Sequence, residues 1–354
     1  MKIAHVRERH APAGAPWRLA AALPSPGGSR EAGDGPATWI DLDAARRRAI
    51  AADRNLAHDR VLHRQPVTTL DDHLARGLRV DALAELVEGF VPRGAAGQGH
   101  DGDDALLGAV DLLFGPPILR PPSLRDFYAF EGHVRTMWER RGGEVPETWY
   151  RLPIFYFSNV SEIRGPDEPV WSPVASNELD YELEVAALID TPVADLPEER
   201  GEEAIGGYTI FNDWSARDLQ REETVVRLGP AKGKDFASSI GPWLVTPDEV
   251  WPAAGRAAGA TGPNLAMTAE VNGVETSGGR WSDAQFSFGA MVARASADVR
   301  LRPGDLLGSG TVGTGCLLEV RDATLGRYLE AGDEVVLRIE RLGSLRTPIV
   351  ARGR

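Results

Sequence analysis

The chain has 354 residues, enough for a sizeable core and for more than one structural unit. Its 52 acidic and 39 basic residues leave a formal net charge of −13, which argues against a nucleic-acid or anionic-membrane partner. One cysteine, Cys316, excludes an intrachain disulfide and a CxxC zinc site. No apolar stretch is long enough to span a bilayer and the N-terminus lacks a signal-peptide core, so a cytoplasmic protein is expected. Of the seven histidines none follows His133. A Ser-His-Asp triad or a His-rich zinc site built within the C-terminal half is therefore excluded, and an imidazole needed there would come from His133.

Residues 1–115 read as a small, variable N-terminal unit. Short strands are expected at Ile3–Val6, Arg18–Leu23 and Thr38–Ile40, with a Pro/Gly/Ser-rich loop over Pro24–Ala37. Helices are expected at Asp43–Asp53, Thr69–Arg76 and Asp81–Val87, and a Gly-rich polar segment at Arg93–Asp104. The run Arg46–Arg48 reads as a solvated helix face. Residues 116–354 form the second unit, opened by Pro116, Pro117, Pro121 and Pro122. Asp126, Tyr128 and His133 follow, with a helix continuing to Arg141, and then a buried strand at Leu152–Phe157.

Asp180–Ile189 carries the apolar and β-branched composition of a strand. Glu182 and Glu184 then point to one face, because strand side chains alternate with period two. On a solvated face they need nothing further. In a core the pair demands a cation or shifted pKa values. The stretch Asn212–Gln220 follows a short strand at Tyr208–Phe211 and opens a helix, with Ser215 at the N-cap and Asp218 three residues on. Asp213 sits at the corner. Arg217 and Gln220, three apart, share one helix face and can converge on a ligand. Alternatively, Asp213 and Ser215 merely cap the helix and Arg217 pairs with Asp218. Glu182, Glu184 and Asp213 are an all-oxygen set, suited to Mg²⁺, Ca²⁺ or Mn²⁺ rather than zinc.

Leu228–Ser239 has the composition of a phosphate loop, but the Gly229–Gly233 spacing is one residue short and Asp235 follows the lysine. It reads as a turn presenting Lys234 to a negatively charged site. Beyond Met267 the chain is strand-rich: a hairpin turns at Asn272-Gly273, a polar loop runs Gly279–Phe286, and a short helix spans Phe288–Ala295. Arg302–Asp305 is a Pro-Gly turn, and Gly308 and Gly310 let backbone N–H groups approach a ligand. Glu319 stands alone in an apolar run that reads as a strand, and Val335–Ile339 is the last strand.

Over roughly residues 116–350 these pieces resemble the fumarylacetoacetate hydrolase family, most specifically at Asp180–Ala186, Tyr208–Gln220 and Gly308–Thr311. The resemblance implies a mostly β, α+β fold, a mixed β-sandwich roll with a small N-terminal α+β domain, and a homodimer. It implies one divalent cation, Mg²⁺ or Ca²⁺ with Mn²⁺ an alternative, held by Asp126, Glu182, Glu184 and Asp213. By the same carry-over His133 and Glu319 form a general-base dyad, and Arg217, Gln220 and Lys234 bind the developing oxyanion. Tyr128 and Tyr156 contact substrate, Thr311 offers it a hydroxyl, and Ser238 replaces a threonine that supports the metal shell. Thr136 stands where short-type members carry a glutamate, so the dyad is of the long, hydrolase type. Phe157-Ser158-Asn159 replaces the His-Gly-Arg run of the fumarylacetoacetate enzymes proper, and a carboxylate-binding arginine falls near Arg140 or Arg141. The implied activity is hydrolysis of a C–C bond in a 1,3-diketo acid. A β-keto acid decarboxylase, a dienoate isomerase or hydratase, or a non-catalytic binding protein are the alternatives.

Overall fold

The computed structural model describes residues 1–12, 14–23, 35–52, 62, 64–88, 90, 105–251 and 259–353. Most of the Pro24–Ala37 loop and of the Arg93–Asp104 segment lies outside the described residues. The fold is mostly sheet, of the α+β class. One large mixed sheet runs through the molecule, and its fully buried central strands are Leu183–Ile189, Ile205–Asn212 and Ser238–Val245. Burial on both faces explains why these strands read as near-continuous apolar runs rather than alternating ones.

The sheet begins among the N-terminal strands. Lys2–Glu8 pairs antiparallel with Arg18–Ala22 and with Leu112–Gly115, and its first residues pair with Ser238–Val245. Beyond that strand come Ile205–Asn212, Leu183–Ile189, Leu306–Gly308, Leu124–Phe127 and Phe155–Ser158. The step from Leu306–Gly308 to Leu124–Phe127 is parallel. Trp39, Phe114 and Trp243 meet edge-on or tilted with ring centroids 5.2–6.0 Å apart and bind the N-terminal strands to Ser238–Val245. Edge-to-face aromatic pairs contribute about 0.5–1.5 kcal/mol each beyond their burial. A second sheet of four strands orders Val274–Arg280, Ala266–Val271, Glu334–Ile339 and Gly343–Pro348.

The hairpin at Asn272-Gly273 forms, both residues having positive φ (53° and 77°), as a type I′ turn requires. The Arg302–Asp305 turn also forms, with Gly304 at φ 96°. The strand expected to be buried over Leu152–Phe157 forms at Phe155–Ser158 and leaves Phe157 exposed. Three further sequence readings need correction. The Gly279–Phe286 segment is not a plain polar loop: the strand continues to Arg280, and Trp281 buries itself against Tyr208 and Phe288. Gly343–Pro348, a final strand that composition alone did not announce, pairs along the length of Glu334–Ile339. Leu317–Val320 is a helical turn, not a strand.

His5 sits fully buried where the two halves of the chain meet. Its Nδ1–H donates to the Pro116 carbonyl at 2.8 Å and its Nε2 accepts from the Leu70 N–H at 3.0 Å. Protonating Nε2 would set a hydrogen against that N–H, and burial holds the imidazole below its ordinary pKa. Burial does the same to His73. The unfolded chain takes up these protons near pH 6.5, so their stabilising effect is complete above that value and is lost as pH falls toward the folded-state pKa values. The thermal unfolding midpoint should therefore drop between about pH 7.5 and about pH 5.5. His5→Gln should be less stable by about 1–3 kcal/mol at the upper value and show a shallower slope, measured by calorimetry across that range.

Candidate metal centre and dyad

Strand register assembles the site. Asp126 pairs with Gly308 on one side and with Tyr156 on the other; Gly308 faces Ala186 in the next strand, and Glu184 faces Phe211 in the one beyond. Asp213 follows directly where the Ile205–Asn212 strand ends. Side chains two residues apart on neighbouring strands thus bring Asp126, Glu184 and Asp213 to one buried point, where their nearest carboxylate oxygens lie within 4.8 Å of one another. Gly308 is required for this. A Cβ there would stand 2.5 Å from Asp126 Oδ1 and 2.8 Å from the Phe211 ring.

Glu182 falls at a break between the short strand Leu179–Asp180 and Leu183–Ile189, so the predicted single strand is interrupted. Its backbone N–H donates to Asn212 Oδ1 at 2.9 Å. Its carboxylate does not join the other three. It pairs with the Lys234 ammonium and, at 2.8 Å but out of hydrogen-bond alignment, with Arg217. Lys234 also pairs with Asp213. The loop at Leu228–Ser239 therefore does present Lys234 to negative charge, but that charge is the protein's own.

The charges do not balance. Asp126, Asp180, Glu182, Glu184 and Asp213 are all buried, and among the described residues their only ion pairs are with Lys234 and Arg217, which reach Asp180, Glu182 and Asp213 but not Asp126 or Glu184. An unpaired carboxylate away from water is untenable at tens of kcal/mol by Born solvation, so it protonates or finds a cation. Burial, reinforced by Asp213 and Glu182, drives the Asp126 carboxyl well above the usual carboxylate range. Burial with Asp126, Glu182 and Asp213 does the same to Glu184. Glu182 goes the other way: Lys234 and Arg217 outweigh its burial and hold it well below that range. Burial also works against the Lys234 ammonium, yet Asp213 and Glu182 keep its pKa above the ordinary lysine value. Oδ1 of Asp126 and Oδ1 of Asp213 are buried with no hydrogen-bond partner among the described residues. Orphaned carboxylate oxygens in a cluster short of positive charge are what a hard divalent cation fits.

His133 lies in the helix Glu131–Arg140, and its Nδ1 contacts Glu319 Oε1. Both side chains are buried, at 4% and 3% exposure. Cys316 sits against the pair, fully buried. Burial pushes its thiol well up, with the Arg217 guanidinium opposing. The Tyr128 ring meets the His133 ring edge-on at 5.5 Å, and Arg140 donates to the Glu319 carbonyl oxygen at 3.3 Å.

Several expected roles move. Ser215 does not cap the helix. It belongs to a two-residue strand, its hydroxyl donates to the Asp213 carbonyl oxygen, and the helix begins at Arg217 without a side-chain cap. Asp218 instead accepts from Ser176 and from Asn177 N–H. Tyr156 donates to Asp213 Oδ2 at 2.6 Å, and Thr311 to Glu184 Oε1 at 3.2 Å. These hydroxyls brace carboxylates. Gly310 N–H, expected to meet a ligand, donates to Glu184 Oε2 at 3.0 Å. Gln220 Oε1 accepts from Arg217 Nη1 at 3.1 Å, so these two side chains meet each other. Ser238 Oγ lies 3.5 Å from Ser158 Oγ.

Asp180 went unnoticed in the sequence. Fully buried, it accepts from Arg217 Nε at 2.8 Å, Leu317 N–H at 2.7 Å and Leu318 N–H at 2.9 Å. It thereby ties the guanidinium to the turn that carries Glu319. The signal was present as the first residue of Asp-Tyr-Glu-Leu-Glu, but a lone aspartate before two glutamates gives no hint of its partners.

The model of the fumarylacetoacetate (FAA) hydrolase C-terminal family matches residues 123–350. The chain belongs to this family. It is 31% identical to a fumarylacetoacetase of Arabidopsis thaliana over 59% of this chain and 63% of that protein. It is 30% identical to a 2,4-didehydro-3-deoxy-L-rhamnonate hydrolase of Sphingomonas sp. (strain SKA58), over 56% of this chain and 65% of the other. The chain thus spans less than two thirds of the length of these curated relatives. Among solved structures it is similar to a 2-hydroxyhepta-2,4-diene-1,7-dioate isomerase from Mycobacterium marinum, with a TM-score of 0.55 and 28% identity over 71% of this chain and 82% of that one.

Two outcomes are expected. Added Mg²⁺ or Mn²⁺ should raise the thermal midpoint by mass action, about 2.7 kcal/mol at a hundred times the dissociation constant, and Asp213→Asn should abolish the shift in a thermal scan. Asp180→Ala should cost about 3–5 kcal/mol in denaturant unfolding, because it strands the buried Arg217 and two backbone N–H groups.

Proposed function

We infer that the protein is a metal-dependent hydrolase of a C–C bond in a 1,3-diketo acid, of fumarylacetoacetate or acylpyruvate type. The observation that carries this reading is the buried contact between His133 Nδ1 and Glu319 Oε1, beside a carboxylate cluster short of positive charge. Mg²⁺ or Ca²⁺ held by Asp126, Glu184 and Asp213, with Glu182 beside them, would supply Lewis-acid polarisation of a β-dicarbonyl.

The chain's own residues do the rest. Glu319 fixes the tautomer of His133 by accepting the Nδ1–H and leaves Nε2 to take a proton from water. Hydroxide adds to the carbonyl carbon, and the resulting oxyanion needs donors. Arg217, through the Nη2 group left without a hydrogen-bond partner among the described residues, and Gln220, through its amide N–H groups, supply them, each such donor being worth about 3 kcal/mol. The C–C bond then breaks and the proton on His133 passes to the leaving carbon. Lys234 acts as the counter-charge to Glu182 and Asp213. Tyr128, edge-on to His133, flanks the acceptor carbonyl. Self-association as a homodimer and a cytoplasmic location belong to the same proposal. The exposed apolar residues Val225, Val226 and Leu228 are the kind of surface a second copy covers.

A second reading keeps the centre and changes the reaction. The similarity to a solved dienedioate isomerase supports isomerisation through an enolate, and decarboxylation of a β-keto acid would run through the same enolate. Purified protein with Mg²⁺ or Mn²⁺, assayed for loss of the diketone absorbance on acylpyruvates and fumarylacetoacetate analogues, separates the two. His133→Ala should cut hydrolysis by about 10²–10⁴-fold, whereas decarboxylation should largely survive it. Absence of metal-dependent loss of any diketone would overturn the hydrolase reading.

A further inference from the structure

Cys316 takes no part in the hydrolysis just described, yet it lies within the dyad. One ligand atom from each of His133, Cys316 and Glu319 falls within 4.8 Å of the other two. Cys316 and Glu319 bracket the first turn of Leu317–Val320, three residues apart, so both side chains face the His133 helix. Tetrahedral zinc, with bonds of about 2.0–2.3 Å to nitrogen, oxygen and sulfur, needs its ligand atoms about 3.3–3.7 Å apart. The Cys316 ligand atom lies within 4.8 Å of both partners, whereas the His133–Glu319 contact is tighter than that spacing and must open to admit an ion. Glu319 Oε2 is buried, its side chain 3% exposed, and has no hydrogen-bond partner among the described residues. One oxygen of the glutamate serves His133 and the other is left unsatisfied in the same cluster.

The donor chemistry differs from that of the carboxylate cluster. Asp126, Glu184 and Asp213 present only oxygen, which suits hard ions. Imidazole, thiolate and a single carboxylate suit a borderline-soft ion. We propose that His133, Cys316 and Glu319 form a second metal site, selective for Zn²⁺ over Mg²⁺, whose occupation switches the protein off by taking His133 as a ligand. Binding replaces the Cys316 sulfur–hydrogen bond with a sulfur–zinc bond and releases one proton to solvent. The ion leaves the carboxylate cluster intact, so inhibition is not competitive with Mg²⁺. The inhibitory half of this proposal rests on His133 acting as the base; the binding half does not.

Binding is therefore tested apart from turnover. The full chain, saturated with Mg²⁺, is titrated with Co²⁺ as a spectroscopic stand-in for Zn²⁺. One equivalent should produce a thiolate-to-cobalt charge-transfer band in the near ultraviolet, and Zn²⁺ should bleach it. Because Cys316 is the single cysteine, any such band reports on it alone. His133→Gln and, separately, Glu319→Gln should weaken binding at least about tenfold, with folding checked by circular dichroism. Cys316→Ser should lose the band, retain Mg²⁺-dependent turnover and no longer be inhibited by micromolar Zn²⁺. No band in the wild type, or equal cobalt affinity in His133→Gln and Glu319→Gln, would overturn the site. Zinc inhibition undiminished in Cys316→Ser would place the inhibitory ion at the oxygen cluster and overturn the switch. If no substrate turns over, the hydrolase reading falls while the cobalt titration still decides whether the site exists.

Discussion

The structure depends on a buried charge imbalance. Among the described residues, five buried carboxylates gather around two buried cationic side chains. Each pairing that exists is specific: Lys234 with Glu182 and Asp213, Arg217 with Asp180 and Glu182. What remains, Asp126 and Glu184, is pushed toward protonation. Buried ion pairs seldom stabilise a fold, since desolvation consumes most of their attraction. A cluster that keeps more acids than bases is therefore better explained by an ion it is built to hold than by stability.

The scaffold around this cluster is rigid where it must be. Asp126, Glu184 and Asp213 sit on or at the ends of buried strands of one sheet, with Leu306–Gly308 between the Asp126 and Glu184 strands, so their spacing follows from strand separation and register rather than from loops. Gly308 and Gly310 do different work in the same strand end. Gly308 clears room for the Asp126 carboxylate, and Gly310, at φ 80°, turns the chain so that its N–H reaches Glu184. Tyr156 and Thr311 add hydroxyl donors to Asp213 and Glu184. Ligating carboxylates are commonly braced in this way, which fixes the direction of their free lone pairs.

His133 and Glu319 lie 186 residues apart, and only the folded chain joins them. Asp180 makes the junction firm, because it holds Arg217 with one oxygen and the backbone of the Glu319 turn with both. One buried aspartate thus couples the oxyanion side of the proposed site to the base side. Cys316, at the head of that turn, brings a sulfur atom to a place where the proposed hydrolysis has no use for one.

Much of this was legible from residue order. Apolar β-branched runs marked the buried strands, Asn272-Gly273 marked a hairpin, and the acidic pattern of Glu182, Glu184 and Asp213 marked an oxygen-rich centre. These are local signals, carried by side-chain period and turn chemistry. Sequence order also carried the choice of Glu319 as the partner of His133, though only through family resemblance. It did not carry the break at Glu182, the helical turn at Leu317–Val320, or the diversion of Tyr156, Thr311 and Gly310 from a ligand to the protein's own carboxylates. Those outcomes depend on which donor lies within 3 Å or so of which acceptor after the strands have paired. The residue types alone determined that a cluster of hard oxygen ligands and one imidazole were available. Tertiary packing decided which carboxylates were left without a counter-charge, because the cost of a buried charge is set by its neighbours in space and not by its neighbours along the chain.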